Sequence, residues 1–154
     1  MTTKPYRVGR SRTGLGLFAT APIRKHALIV EYSGPRIPTA QAHARERAGR
    51  SRYMFEINSR WSIDGSGRDN IGRYANHACK PNAESVLIRG KVFLKAVRRI
   101  LPGEEITYDY GREYVMLFFK GGCRCATCEG ARSDAPTAAA GPAASADPRS
   151  ARDR

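Results

Sequence analysis

The fold of this chain is decided by the stretch Asn76-His77-Ala78-Cys79-Lys80-Pro81-Asn82, which gathers two carboxamides, an imidazole and a thiol around a proline turn. Such polar groups are unfavourable to bury unless each finds a hydrogen-bond partner, and sites for polar ligands are where they usually occur together. His77 taken alone would also fit a structural histidine that is hydrogen-bonded inside the fold. The other motifs of the chain must therefore decide between the two interpretations.

Near the N-terminus, the run Gly14-Leu15-Gly16 is a glycine pair that lets the backbone approach a ligand closely. The same pair would also fit a tight turn between two strands. It is neither a dinucleotide fingerprint nor a phosphate loop, because the third glycine, the following helix, the later acidic residue and the Gly-Lys-Ser/Thr run are missing. The pair indicates a close backbone contact without naming a ligand.

Tyrosines stand at the ends of two predicted strands. Tyr32 ends the apolar run Leu28–Tyr32, where a half-buried strand residue would be the ordinary interpretation. Tyr108 and Tyr110 follow Pro102-Gly103-Glu104-Glu105 and point to one side if the chain is extended there. Paired phenols can line a narrow pocket, and two aromatic anchors of a surface strand would show the same spacing.

Frequent glycine and proline keep the predicted elements short, which favours a β-rich fold with small helices. A hairpin is predicted around Arg89-Gly90-Lys91, between two short apolar runs. Helices are predicted over Thr39–Ala48, with Thr39 as N-cap and Gly49 as the stop, and over Glu113–Phe119. Residues 68–74 are too polar and too often interrupted by glycine for an assignment.

The chain has 154 residues, enough for one domain, and its 27 Lys and Arg against 14 Asp and Glu give a net charge of +13. Residues 131–154 hold four Arg and three Asp, so +12 belongs to the rest. The excess predicts an acidic or nucleic-acid-associated partner, or serves solubility alone. Without an apolar run of about 18 residues or an apolar leader, we expect no membrane association and a cytoplasmic location.

Taken together and in this order, the motifs resemble those of the SET-domain protein-lysine methyltransferases, which carry a GxG motif, an E-Y-x-G strand, an N-H-S-C-x-P-N loop and a G-E-E-L-x-x-D-Y end. Ala78 replaces the usual serine with another small side chain. The resemblance implies a β-rich SET-domain β-clip whose C-terminal segment threads the N-H loop as a pseudoknot. It places a SET domain at 5–120 and a post-SET-like zinc-binding segment at 121–130. Residues 131–154 remain as an Ala/Pro-rich segment that we expect to be disordered.

The resemblance also implies an enzyme that transfers a methyl group from S-adenosylmethionine to the side-chain amine of a lysine in a protein substrate. Tyr110 would be the catalytic tyrosine that orients the methyl group or the amine, and Tyr108 would hold a water and limit the product to monomethyl-lysine. In-line displacement needs positioning, exclusion of water and a neutral amine, which an apolar channel beside a sulfonium favours. The donor would bind the backbone of Gly14, Leu15 and Gly16, with further contacts from Asn76, His77 and Tyr110. The lysine channel would be lined by Tyr32, Tyr53 and Tyr108.

The four cysteines, in a chain without a secretion signal, predict metal ligands before disulfides. The resemblance implies one structural zinc in a closed all-thiolate site, which would pin the C-terminal segment over the donor pocket. The spacing here is C-x-C-x2-C where the family commonly has C-x-C-x4-C, so free or oxidised thiols without metal stay an alternative. The ligands would be Cys79, Cys123, Cys125 and Cys128.

Two other functions remain open at this stage. A small zinc-stabilised basic module could bind nucleic acid without catalysis, but its basic residues are scattered and it leaves the tyrosines and the glycine pair unexplained. A SET-like protein without activity could bind a partner, against which the intact Tyr110, Asn76 and His77 argue. The sequence does not name the protein substrate; a basic enzyme fits a substrate with acidic patches, or a nucleic-acid-bound complex, as well as a basic tail.

Overall fold

The computed structural model of the chain describes residues 2–133, and the side chains of residues 2–130. Within this range the chain forms ten strands, three α-helices and one 3-10 helix, which agrees with the predicted β-rich class. The strands are β1 (Tyr6–Ser11), β2 (Gly14–Ala19), β3 (Leu28–Tyr32), β4 (Arg36–Pro38), β5 (Met54–Glu56), β6 (Trp61–Asp64), β7 (Asn76–His77), β8 (Ala83–Ile88), β9 (Lys91–Ala96) and β10 (Glu105–Tyr108). The helices are α1 (Thr39–Arg47), the 3-10 helix Ile71–Tyr74, α2 (Arg112–Phe118) and α3 (Ala126–Ser133).

The strands form three small sheets, with the orders β1-β2-β10-β7, β3-β9-β8 and β4-β6-β5. The main core lies between the first two sheets, where Leu17, Leu94, Ile100 and Ile106 are fully buried. A smaller cluster centred on Tyr32 joins the second and third sheets. None of the helices in residues 2–133 has the length and apolar character needed to cross a membrane.

The stretch 76–82 contacts β10, the strand that ends at Tyr108, at both of its own ends. β7 pairs in parallel with β10, with Asn76 opposite Thr107 and His77 opposite Tyr108. Asn82 completes the enclosure, because its Nδ2 donates to the Glu105 carbonyl at 2.8 Å and its Oδ1 accepts from the Thr107 N–H at 2.9 Å. The loop 76–82 thus binds β10 through both β7 and Asn82, while β2 pairs with the same strand in the antiparallel direction.

The predicted hairpin is confirmed. β8 and β9 pair from Ala83–Ala96 to Ile88–Lys91, and the connection is the two-residue turn Arg89-Gly90. Both turn residues have positive φ, 49° and 77°, as a tight turn that matches strand twist requires.

Helix α1 lies where the sequence predicts it, but Thr39 is not its N-cap. Pro38 takes that position, and no side chain caps the helix. The Thr39 hydroxyl lies 2.9 Å from both the Asn58 carbonyl, to which it donates, and Ser62 Oγ. The helix ends at Arg47, and Gly49 follows with φ of 66°, the left-handed conformation that glycine adopts freely.

Helix α2 begins and ends one residue before its predicted bounds, and α3 was not predicted at all. α3 extends to Ser133, so the first three residues of the predicted 131–154 segment are helical. The rest of that segment, from 134 onward, lies outside the described residues. The 3-10 helix occupies the polar segment that had no assignment.

Candidate active site and metal site

A cleft of about 270 Å³ opens between β1, β7, β10 and the C-terminal segment. Of the residues predicted to bind the donor, Asn76 and His77 line this cleft, whereas Gly14, Leu15, Gly16 and Tyr110 are not among its lining residues. Its other lining residues include several that had no predicted role, because only the folded chain brings them to the cleft. These include Ser11, Arg12 and Thr13 of the β1–β2 turn, Glu105 and Thr107 of β10, and Phe118 and Phe119 at the end of α2.

Asn76 is held at the floor of this cleft by its amide nitrogen. Nδ2 donates to the Leu15 carbonyl at 2.9 Å and to Glu105 Oε1 at 2.8 Å. The second carboxylate oxygen, Oε2, accepts a hydrogen bond from Ser11 Oγ at 2.9 Å. The segment around the glycine pair and the stretch 76–82 are therefore joined through the Glu105 carboxylate, which the sequence patterns did not identify.

The glycine pair begins β2 and does not form the turn itself, which is Arg12-Thr13. Gly14 has φ of 125°, a conformation that side chains disfavour. A Cβ on Gly16 would lie 2.4 Å from Glu105 Oε1 and 3.2 Å from Asn76 Nδ2. Gly16 is therefore required by the side-chain network beneath it, while Leu15 contributes its carbonyl oxygen.

His77 connects the cleft to the tyrosines and to the cysteines, and it is 9% exposed. Its Nδ1 accepts the Tyr110 backbone N–H at 3.1 Å, which assigns the proton of the neutral ring to Nε2. Nε2 lies 3.5 Å from Cys79 Sγ. The ring also packs at 5.3 Å from the Tyr110 ring and 5.8 Å from the Phe119 ring.

Tyr110 is the centre of an aromatic cluster. Its hydroxyl donates to the Ala75 carbonyl at 2.6 Å, and its ring lies 4.8 Å from Tyr108 and 5.1 Å from Tyr114. Tyr108 is only 5% exposed. The structure thus brings the two predicted tyrosines into contact and adds Tyr114, whose only sequence signal is its position four residues after Tyr110.

Tyr32 and Tyr53 form a second pair, linked to the first through Tyr114. The Tyr32 hydroxyl donates to the Tyr53 carbonyl at 2.8 Å, and the Tyr114 hydroxyl donates to the neighbouring Arg52 carbonyl, also at 2.8 Å. The guanidinium of Arg73 lies 4.1 Å from the centre of the Tyr53 ring. A series of contacts therefore leads from the cleft, through the tyrosines, to residues 52–53.

The four cysteines meet at the edge of the cleft, and all four Sγ atoms lie within 4.8 Å of one another. Cys79 Sγ is 3.7 Å from Cys123 Sγ and 3.6 Å from Cys128 Sγ. A tetrahedron of thiolates about 2.3 Å from one zinc ion has sulfur atoms about 3.8 Å apart. The donor set and its spacing fit a closed tetrahedral metal site.

The short C-x2-C spacing is accommodated by α3. Cys125 immediately precedes this helix, and its carbonyl accepts the first helical hydrogen bond from the Glu129 N–H at 2.9 Å. Cys128 lies within the first turn, so two ligands three residues apart fall on one side of it. The structure thereby explains how a shorter loop still brings the last cysteine to the cluster.

The thiols of the cluster differ in acidity. Burial raises the pKa of the Cys79 thiol and raises that of Cys123 to about 11. At Cys125 burial is outweighed by hydrogen bonds from the backbone N–H groups of Cys79 and Cys128, and the pKa falls to about 6. Of these three thiols, Cys125 is therefore the best prepared to be a thiolate, the form that binds metal.

Comparison with known proteins gives consistent matches. The family model described as SET domain matches residues 14–111, more than half of the chain. The chain is 36% identical over 127 residues to histone-lysine N-methyltransferase 2D of Homo sapiens, with 77% of this chain and 2% of that protein covered. It is 38% identical over 105 residues to histone-lysine N-methyltransferase trithorax of Drosophila melanogaster, covering 63% of this chain and 3% of that protein. These relatives are far longer, so the chain spans a small fraction of their length.

Among solved structures, a humanized mutant of the Chaetomium thermophilum Polycomb Repressive Complex 2 bound to an inhibitor aligns with a TM-score of 0.62 and 26% identity. The alignment covers 71% of this chain and 15% of that one. Together with the threaded last strand and the tyrosine cluster, these matches identify the chain as a member of the SET-domain family.

Proposed function

We propose that the chain is a protein-lysine methyltransferase that uses S-adenosylmethionine. The observation that carries the proposal is the position of Tyr110. Its backbone N–H donates to His77 of the cleft, and its ring contacts Tyr108 and Tyr114. Tyr114 in turn contacts residue 52. One tyrosine thus separates a cleft large enough for a small ligand from an aromatic passage. That the SET-domain relatives named above are histone-lysine methyltransferases supports the same reaction.

When bound, S-adenosylmethionine supplies an electrophilic methyl group on a sulfonium sulfur. In the proposed mechanism Asn76, His77 and the backbone near the glycine pair bind the donor. The Tyr110 hydroxyl proton is committed to the Ala75 carbonyl, so the phenol oxygen keeps its lone pairs as an acceptor for the amine or the polarised methyl group. Positioning of this kind can supply much of the rate enhancement of a displacement.

The lysine would enter along the aromatic passage formed by Tyr32, Tyr53 and Tyr108. These three side chains are buried, with 2%, 2% and 5% of their surface exposed. A passage that excludes water disfavours the ammonium form, because burial penalises the charged state, and the neutral amine is the nucleophile. The hydroxyl of Tyr108 supports our proposal that the product is monomethyl-lysine, since it adds a polar group beside Tyr110.

We assign a structural zinc ion to Cys79, Cys123, Cys125 and Cys128. The support is the tetrahedral sulfur spacing and the absence, within residues 2–133, of a cysteine outside this group. Residues 122–127 also line the donor cleft. Metal binding would therefore hold one wall of the cleft in place.

For the substrate we propose a protein segment in which acidic residues flank the target lysine. Ser51 is 5% exposed, and its Oγ and the adjacent Arg52 Nε are buried without a hydrogen-bond partner among residues 2–133. They lie directly before Tyr53 of the proposed passage. Arg50, the preceding residue, is exposed and adds a positive charge next to these donors in the sequence. Carboxylates are the acceptors that match both.

A zinc-stabilised nucleic-acid-binding module without catalysis remains the weaker alternative. It gives no role to the cleft, to Tyr110 or to the buried tyrosines around it, and the relatives offer no support for it.

Transfer of a labelled methyl group tests the proposed function. The protein is incubated with labelled S-adenosylmethionine and a cell lysate, methyl-lysine sites are mapped, and donor binding is measured by calorimetry. Tyr6→Phe, which removes a phenol hydroxyl from β1, serves as the matched control for substitutions at Tyr110. Failure of both donor binding and transfer would overturn the proposal.

A further inference from the structure

We infer that Glu105 is a positioning residue that fixes the orientation of the Asn76 amide, so that the amide oxygen is kept as a hydrogen-bond acceptor for the ligand in the cleft. The inference rests on the proposed function in taking that ligand to be S-adenosylmethionine. Glu105 has no role among the functions that the sequence motifs predict.

The orientation of the Asn76 amide follows from its two partners. The Leu15 carbonyl and the Glu105 carboxylate can only accept hydrogen bonds, and each lies within 2.9 Å of Asn76 Nδ2. Both N–H bonds of the amide are thereby used. Oδ1 has no partner among residues 2–133, although Asn76 lines the cleft. The amide therefore offers an acceptor to a ligand that carries an N–H donor, such as an ammonium group.

Glu105 makes two hydrogen bonds besides the one with Asn76. Its Oε2 accepts from Ser11 Oγ at 2.9 Å, and its carbonyl oxygen accepts from Asn82 Nδ2 at 2.8 Å. Gly16 leaves the space that the carboxylate occupies, since a Cβ there would come within 2.4 Å of Oε1. A carboxylate held this firmly can select one of the two amide orientations of Asn76.

The adjacent Glu104 is a natural comparison. It carries the same charge, but its carboxylate accepts from Arg98 at 2.9 Å and 3.2 Å and makes a short hydrogen bond of 2.6 Å from the Leu101 N–H. Those bonds hold the turn before β10 and do not reach Asn76. Two neighbouring glutamates of equal charge therefore differ in the one contact that the inference invokes.

The first test compares Glu105→Ala, Glu105→Gln and, as a control outside the cleft, Glu84→Ala by calorimetric titration with S-adenosylmethionine, with the melting temperature of each variant. Glu105→Ala should weaken binding roughly 10- to 100-fold, the range for loss of a hydrogen bond to a charged group. Glu105→Gln should stay close to wild type, because its amide oxygen still accepts from Asn76 and its nitrogen can donate to Ser11 Oγ. Glu84→Ala removes the same charge from an exposed position on β8, outside the cleft lining, and should also bind close to wild type.

A double-mutant cycle keeps the inference testable if Glu105→Ala folds poorly. Asn76→Asp places a carboxylate against that of Glu105 and should weaken binding. Adding Glu105→Gln should restore part of the loss, because the glutamine amide then donates to the introduced carboxylate, whereas the Leu15 carbonyl still faces that carboxylate without a donor between them. A purely structural role for Glu105 would give no such rescue.

The outcomes separate this inference from the proposed function. Wild-type protein that fails to bind S-adenosylmethionine overturns both. Wild-type binding with unchanged affinity in Glu105→Ala, equal losses in the alanine and glutamine variants, or no rescue in the cycle overturns the role of Glu105 alone. Weak binding by Glu105→Ala together with near-normal binding by Glu105→Gln and rescue in the cycle supports it.

Discussion

The Tyr110 hydroxyl donates a hydrogen bond to the carbonyl oxygen of Ala75, 2.6 Å away. Ala75 is fully buried and directly precedes Asn76 of the cleft, so the tyrosine two residues after β10 is fixed to the start of the stretch 76–82. Because the proton is used in this bond, we propose that the phenol oxygen acts as an acceptor in the reaction. The threaded topology is what brings these two residues, 35 positions apart, together.

Tyr110→Phe should lower the rate of methyl transfer by roughly 100-fold, the scale for loss of one positioned polar group in an active site. Donor affinity should change far less, because the Tyr110 backbone N–H that bonds to His77 is retained. Single-turnover transfer and calorimetry measure the two effects separately, with Tyr6→Phe as the control. Equal rates in the two phenylalanine variants would contradict a catalytic role for the hydroxyl.

Tyr108→Phe should raise the methylation state of the product. The Tyr108 ring lies 4.8 Å from Tyr110 and is almost fully buried, so we expect its hydroxyl to hold a water and crowd the amine. Its removal makes room for an amine that already carries a methyl group. Mass spectrometry of products from wild type and variant decides the matter. A product that stays monomethylated in both, or is already trimethylated in wild type, would count against the idea.

The sequence predicted the parts of the site that are carried by local patterns. The order of Gly14, Asn76, Cys79 and Tyr110 along the chain was enough to indicate the family, and the β8–β9 hairpin followed from its turn. Glu105 could not be assigned a role, because its carboxylate acts across 29 and 94 positions on Asn76 and Ser11. Such long-range contacts leave no periodic trace in a sequence.

The missed details have equally physical reasons. Thr39 has the side chain of an N-cap, but a contact with Ser62 in the third sheet competes successfully for its hydroxyl. Helix α3 has only eight residues and contains a cysteine that was interpreted as part of a loop. Tyr114 has no signal beyond helical spacing, and its hydrogen bond to the Arg52 carbonyl depends on how α2 packs.

Removal of zinc should destabilise the C-terminal segment and weaken donor binding together. The cysteine cluster contains one ligand from the stretch 76–82 and three from the segment that lines the cleft, so its loss releases both. Freshly purified, reduced protein should contain about one zinc ion per chain. Chelation or Cys128→Ser should then lower the melting temperature, by roughly 2–8 °C for each kcal/mol of stability lost, and weaken binding of S-adenosylmethionine. Less than stoichiometric zinc, or unchanged donor affinity after chelation, would contradict the assignment.

Substrate peptides with acidic residues beside the lysine should be methylated in preference to those with basic ones. Ser51 Oγ and Arg52 Nε present buried donors without partners among the described residues, directly before Tyr53, and a carboxylate would satisfy them. A peptide array with one fixed lysine and varied neighbours measures the preference as a ratio of initial rates. Arg52→Gln should reduce that ratio roughly threefold to tenfold, the effect of losing a partly buried charge-assisted hydrogen bond.

Arg99→Gln is the matched control for this charge change, because Arg99 is exposed beside Pro22 and Arg24. It removes the same charge and should leave the ratio unchanged. If both variants reduce the preference equally, the net charge of the protein attracts the substrate, and Arg52 makes no specific contact. If wild type prefers basic neighbours, the proposal of an acidic substrate is wrong. The donors at residues 51 and 52 would then bind carbonyl oxygens of the peptide backbone.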